Sequence, residues 1–152
     1  MNEVSETGMP ETEVSGSGIA KEVAPWDVIE LTIPVRTDLV VLARLTAATL
    51  ASRVGFDVEE IEDLRLAVEE LCLSLVRNGD DGRLRLRYTR EGDDGIAIAC
   101  SFEAAPGSGV GGLREDGLSV RILDALVDEH GRSSEGDHTE AWLRKRRSRT
   151  LA

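Results

Sequence analysis

Apolar residues return at helical spacing from Glu60 to Val76, EIEDLRLAVEELCLSLV, where Leu64, Val68, Leu71, Cys72, Leu75 and Val76 form one stripe. Asp57 stands before the run as an N-cap. Glu59, Glu60, Glu62 and Asp63 load the first turns with the negative charge that a helix dipole favours there. Arg77 closes the helix, and Asn78-Gly79 with Asp81-Gly82 ends it. Upstream, Trp26 to Pro34 (WDVIELTIP) alternates apolar and polar residues and predicts a strand. Asp38 to Val54 predicts a helix started by Thr37 or Asp38 and stopped near Gly55. Its inner face is expected from Leu39, Leu42, Ala43, Leu45, Thr46, Leu50 and Val54.

Arg83 to Arg90 (RLRLRYTR) has a period of two, with Leu84, Leu86 and Tyr88 pointing one way and the arginines the other. The turn Glu91-Gly92-Asp93-Asp94-Gly95 joins it to Ile96–Phe102 as a hairpin. Ala104 to Gly112 reads as a glycine-rich loop. Asp116 to Glu129 returns to helical spacing through Leu118, Ile122, Leu123, Leu126 and Val127. Gly131 to Arg147 fits a last hairpin, with its turn at Ser134-Glu135-Gly136-Asp137 and its second strand at Thr139 to Arg146. Strand, helix, helix, hairpin, loop, helix, hairpin is an α+β order. It predicts a two-layer α/β sandwich, a mostly antiparallel sheet with three helices on one face.

Composition narrows this picture. The 152 residues fit one domain, expected over 26–147, between a disordered acidic tail (1–25) and a short C-terminal tail (148–152). The first tail carries Glu3, Glu6, Glu11, Glu13 and Glu22 among Ser, Thr, Gly and Pro, and buries too little apolar surface to offset chain entropy. A net charge of -11 argues against general nucleic-acid binding, although Arg144, Lys145, Arg146, Arg147 and Arg149 cluster near the far end. With 3% aromatic residues, a base-stacking surface is also not expected. No run approaches the ~20 apolar residues of a membrane span, and the polar N-terminus is no signal peptide, so a cytosolic protein is expected. Cys72 and Cys100 lie in apolar runs and read as small buried thiols.

Glu70 and Ser74 are four residues apart on one helical face, beside the core stripe, where a pocket would use them. The plainer alternative is two solvated polar residues. The glycine-rich stretch AAPGSGVGGLREDG precedes a helix, as phosphate loops do. It matches neither the lysine-bearing loop nor the dinucleotide fingerprint, and Glu115-Asp116 would repel phosphate. His130 and His138 sit in or beside turns without partners at ligand spacing and read as surface histidines. Arg83, Arg85, Arg87 and Arg90 form a basic stripe, either a solvated sheet face or a dock for an acidic partner.

The run ASRVGFDVEEIEDLRLAVEELC resembles the helix pair of RsbW-type anti-sigma factors, serine-kinase members of the GHKL ATPase group. GLSVRILDALVDE resembles the glycine-bearing helix after that family's lid, and the likeness runs from Trp26 to Arg147. The resemblance implies the histidine kinase-like ATPase (Bergerat) fold and a homodimer. It also implies a sigma factor and an anti-anti-sigma protein of the STAS fold as partners, and ATP with magnesium as cofactors. Glu70 stands in the place of the family's general base. Ser74 replaces its magnesium-holding asparagine, and Phe102 falls where an acidic residue takes the adenine amino group, with Glu103 the nearest substitute. Of the glycine pair before the last helix, Gly117 is present and Ser119 replaces its companion. These departures imply an anti-sigma factor with nucleotide binding weakened or lost; the alternative is an active ATP-dependent serine/threonine kinase acting on the anti-anti-sigma partner.

Overall fold

In a computed structural model, residues 27–76, 81–107, 117–135 and 138–148 are described. The acidic tail expected over 1–25 and most of the glycine-rich loop lie outside the described residues. So does the centre of the last turn.

Strand β1 (Val28–Pro34) leads through a short 3-10 turn at Thr37–Leu39 into α1 (Val40–Val54) and α2 (Val58–Leu73). Then come β2 (Gly82–Glu91), β3 (Gly95–Ala104), α3 (Gly117–Leu126), β4 (Glu129–Glu135) and β5 (His138–Arg146). The strands form one five-stranded sheet in the order β1-β2-β3-β5-β4, every neighbouring pair antiparallel. The helices cover one face, as the element order predicts. No described helix is long and apolar enough to cross a membrane.

Helix α2 begins where its capping residue dictates. Asp57 Oδ1 accepts the Glu60 N–H at 2.8 Å, and Glu60 Oε1 accepts the Asp57 N–H at 2.9 Å, a reciprocal capping box. The second oxygen of Glu60 takes the Ser148 N–H at 2.5 Å, tying the exit of β5 to the start of α2. Burial pushes the Glu60 carboxyl up, but the hydrogen bonds from Asp57 and Ser148 and the charge of Lys145 outweigh it and leave it below 4.5. A depressed carboxylate contributes stability above its unfolded value and loses it as pH falls through the lower folded value. Glu60→Gln should therefore cost about 1 kcal/mol at pH 7. Urea unfolding at pH 7 and pH 3 checks this: the gap between variant and wild type should close at the lower pH.

The phase of α1 corrects the expected inner face. Ala43, Leu50 and Val54 are buried as expected, together with Val40, Ala47 and Ala51, but Leu42 and Leu45 point outward. Ala43, Ala47 and Ala51 recur every fourth residue, and small side chains let the helix approach its neighbours closely. Tyr88, fully buried on β2, donates to the Ala43 carbonyl at 2.9 Å and locks that phase. Nor do Thr37 or Asp38 cap α1; Leu39 holds the N-cap position without a side-chain bond. At the other end Gly55, at φ 97°, takes the left-handed conformation that stops the helix, and its N–H reaches Ala51 O at 3.1 Å.

Leu84, Leu86 and Tyr88 on β2 face the helices with Ile96, Ile98, Cys100 and Phe102 of β3 and Ala141 and Leu143 of β5. Arg83, Arg85 and Arg87 lie on the open face. Arg90 does not join them: strand alternation turns it the other way, and its Nε donates to Gly92 O at 3.2 Å. Cys72 and Cys100 are free and fully buried, with Cys100 Sγ donating to Cys72 Sγ across 4.0 Å. That bond and burial push the Cys100 thiol well up, so it stays protonated. His130, read as a surface histidine, is partly covered: its side chain is 15% exposed and Nε2 lies 2.6 Å from the exposed Asp124 Oδ1 on α3.

Candidate functional site

Glu70 lies in the last turn of α2, where the helix passes the start of α3. Its carboxylate is half-buried and accepts a hydrogen bond from the Ser119 hydroxyl, across 49 residues of sequence. Ser119 is itself buried, on the inward side of the first turn of α3, while Leu118, expected on the core side, is 61% exposed. Glu70 and Ser119 are thus one constellation, which spacing along the chain did not indicate. Gly117 opens α3, and no described atom lies within 4 Å of a Cβ built on it.

Ser74 behaves otherwise than expected. Helix α2 ends at Leu73, and Ser74 is its C-cap. Its hydroxyl turns back to donate to Leu71 O at 2.8 Å, and the residue is 1% exposed. The expected pairing of Glu70 and Ser74 on one open helical face is therefore corrected. A serine at a helix end reaches its own backbone more easily than it projects outward.

At the far end of β3, Phe102 is buried on the helix side, and Glu103 lies exposed on the open face. Glu103 pairs in register with Arg83 and comes within 3.8 Å of Arg85. Strand alternation puts Glu103 on the opposite side of the sheet from Glu70 and Ser119. The structure brings together Glu70, Ser119 and Gly117; it leaves Ser74 inward and Glu103 apart.

Residues 33–145 match the model of the histidine kinase-like ATPase domain. The chain belongs to that family. Within it, a serine-protein kinase RsbW of Bacillus pumilus (strain SAFR-032) is 41% identical over 123 residues, covering 68% of this chain and 76% of the relative. The same-named protein of Bacillus subtilis (strain 168) is 31% identical over 126 residues, with the same coverage. Among solved structures, the RsbU and RsbW domains of Rv1364c from Mycobacterium tuberculosis superpose with a TM-score of 0.66 at 20% identity. That match covers 84% of this chain and 34% of the other, so it speaks to the fold.

The family resemblance implies ATP and magnesium, and the residues at this site can be tested against both. Magnesium demands hard oxygen ligands in a near-ideal octahedron. The Ser74 hydroxyl is buried and committed to the Leu71 carbonyl. The adenine edge needs an acidic acceptor, and the Phe102 ring occupies the inward position while Glu103 faces away. Where the family has a second glycine, Ser119 places a hydroxyl on the Glu70 carboxylate. Among the described residues, the Ser74 hydroxyl is spent on Leu71 O and the Glu103 carboxylate faces the open side of the sheet, so neither meets Glu70.

Proposed function

We propose that this chain is an anti-sigma factor: it sequesters an RNA polymerase sigma factor and releases it by partner switching with an anti-anti-sigma protein of the STAS fold. Its nucleotide binding is weakened or lost. One observation carries this reading. The sheet and the α1–α2 pair are whole, while Ser74 and Phe102 turn inward and Glu103 faces away from Glu70. The relatives' family supports the partners, and a homodimer acting in the cytosol fits the same reading. In it residues 26–147 form the working domain, and the acidic tail before it serves solubility.

Two measurements test it. A sigma factor of the source organism should co-purify with the full chain, and failure against every sigma factor of that organism removes the proposal. Calorimetric titration with ATP and magnesium should show no binding at micromolar concentration. A second reading, an ATP-dependent serine-protein kinase acting on the STAS protein, is favoured by the relatives' name and by the position of Glu70 as an acceptor of a serine hydroxyl. Micromolar, magnesium-dependent binding that disappears in Glu70→Ala would select it.

A further inference from the structure

The open face of the sheet, away from the helices, is flat along its centre and hollow at one place. Ala97, Ala99 and Ser101 run down β3, with Thr89, Arg87 and Arg85 beside them on β2 and Arg144, Trp142 and Glu140 on β5. Trp142 lies across Gly131 of β4, where a Cβ would come within 2.7 Å of its indole, and the Arg144 guanidinium sits 5.7 Å from the centre of the ring. Arg87, Thr89, Ala97, Ala99, Trp142 and Arg144 enclose a largely apolar hollow of about 140 Å³, the size that takes one aromatic ring. Of the described aromatic residues, Phe56, Tyr88 and Phe102 are buried in the core and Trp142 is not. The aromatic ring that this chain has to offer thus stands at the wall of the hollow that would receive it.

We propose that the open sheet face binds a second copy of this chain, each Trp142 entering the hollow of the other. The inference rests on the homodimer of the reading above and names the surface that forms it. A two-fold axis parallel to the strands and lying over β3 brings β2 of one copy over β5 of the other. Arg85 then faces Glu140, Arg87 faces the Trp142 indole and Thr89 faces Arg144, each pair made twice. Arg85 and Arg87 are free to take these partners. Their nearest carboxylates, Glu103 and Glu30, stand at 3.8 and 3.9 Å, beyond hydrogen-bond reach, and all four side chains are more than half exposed. Glu103 meets its own copy near the axis, with Arg83 and Arg85 of both copies around it. The small side chains of β3 let two sheets close to the usual spacing of about 10 Å. Rows that complement themselves under one rotation select a second copy over an unrelated partner, and the helices on the other side of the sheet stay accessible.

Sedimentation equilibrium of the full chain should show a dimer at micromolar concentration. Trp142→Ala withdraws the ring and Ala99→Arg fills the hollow; each should raise the dimer dissociation constant more than tenfold while circular dichroism keeps the folded spectrum. Arg85→Glu and Glu140→Arg should each weaken the dimer severalfold, and the double variant carrying both should recover most of the loss. That recovery reports a pair across the axis, which damage to the fold would not produce. A dimer unchanged in Trp142→Ala and Ala99→Arg overturns this face and leaves the homodimer and the anti-sigma reading standing. A dimer lost in Trp26→Ala but kept in Trp142→Ala puts the chain's other tryptophan in the hollow and overturns it too. So does sigma-factor affinity lost in Trp142→Ala with the dimer intact, which would give the hollow to a partner's side chain. A wild-type chain that sediments as a monomer at every concentration removes the homodimer and this inference with it, while co-purification of a sigma factor still decides the anti-sigma reading.

Discussion

Phe102→Asp, which puts an acidic residue at the end of β3, should lower the unfolding free energy by more than about 3 kcal/mol and create no nucleotide site. Phe102 is 3% exposed and pairs in register with Leu84 on one side and Thr139 on the other. An aspartate there loses the packing of the ring and buries a carboxylate with no cation beside it in the described structure. Its carboxyl would be pushed up by burial, so the loss should be largest at neutral pH and shrink as the pH falls below the raised value. Urea unfolding at pH 7 and pH 5 measures both effects. A stable variant that gains magnesium-dependent ATP binding would show instead that the position opens into a usable cleft.

Gly82→Ala should cost about 3 kcal/mol, close to the largest effect for so small a change. Gly82 starts β2 at φ +154°, and a Cβ built on it would sit 2.1 Å from the Glu103 carbonyl oxygen and 2.9 Å from Ala104 Cα. Both obstacles are backbone, so neither can rotate away. Relief requires β2 and β3 to separate where Gly82 O also accepts the Val35 N–H at 3.0 Å and Asp81 O accepts the Ala105 N–H at 2.9 Å. The same end of the sheet holds Phe102. Chemical denaturation should show a lower midpoint, with amide exchange accelerated first at Val35 and Ala105. A variant as stable as wild type would contradict this crowding.

Much of the architecture was legible in local pattern. The period-two run Arg83 to Arg90 placed Leu84, Leu86 and Tyr88 inward correctly. Asp57 as N-cap marked the start of α2, and the stripe from Leu64 to Leu75 is the buried one. These features depend on neighbours within a few residues, where sterics and backbone hydrogen bonding act directly. The phase of α1 was less legible. Its sequence is apolar on too many sides, and Leu42 and Leu45 compete with Ala43 and Ala47 for the inward face. Only the alanines fit against the neighbouring layers.

The candidate site divides in the same way. Glu70 could be found from the helix that carries it, and the reversal of Glu103 relative to Phe102 from simple alternation along a strand. The hydrogen bond of Ser119 to Glu70 could not, because it joins residues 49 apart through the packing of α2 on α3. The inward turn of Ser74 could not either, since it depends on where α2 stops.

By itself, then, the amino-acid order determined which segments are strands and helices, the sandwich they build, and the family to which the chain belongs. Tertiary packing decided which leucines of α1 remain outside, which hydroxyl meets Glu70, and which way the Ser74 hydroxyl turns. The physical reason is range. Periodicity and capping are written in residues a few places apart, whereas the choice between competing apolar faces, and the meeting of two distant polar groups, exists only once the layers have closed on each other.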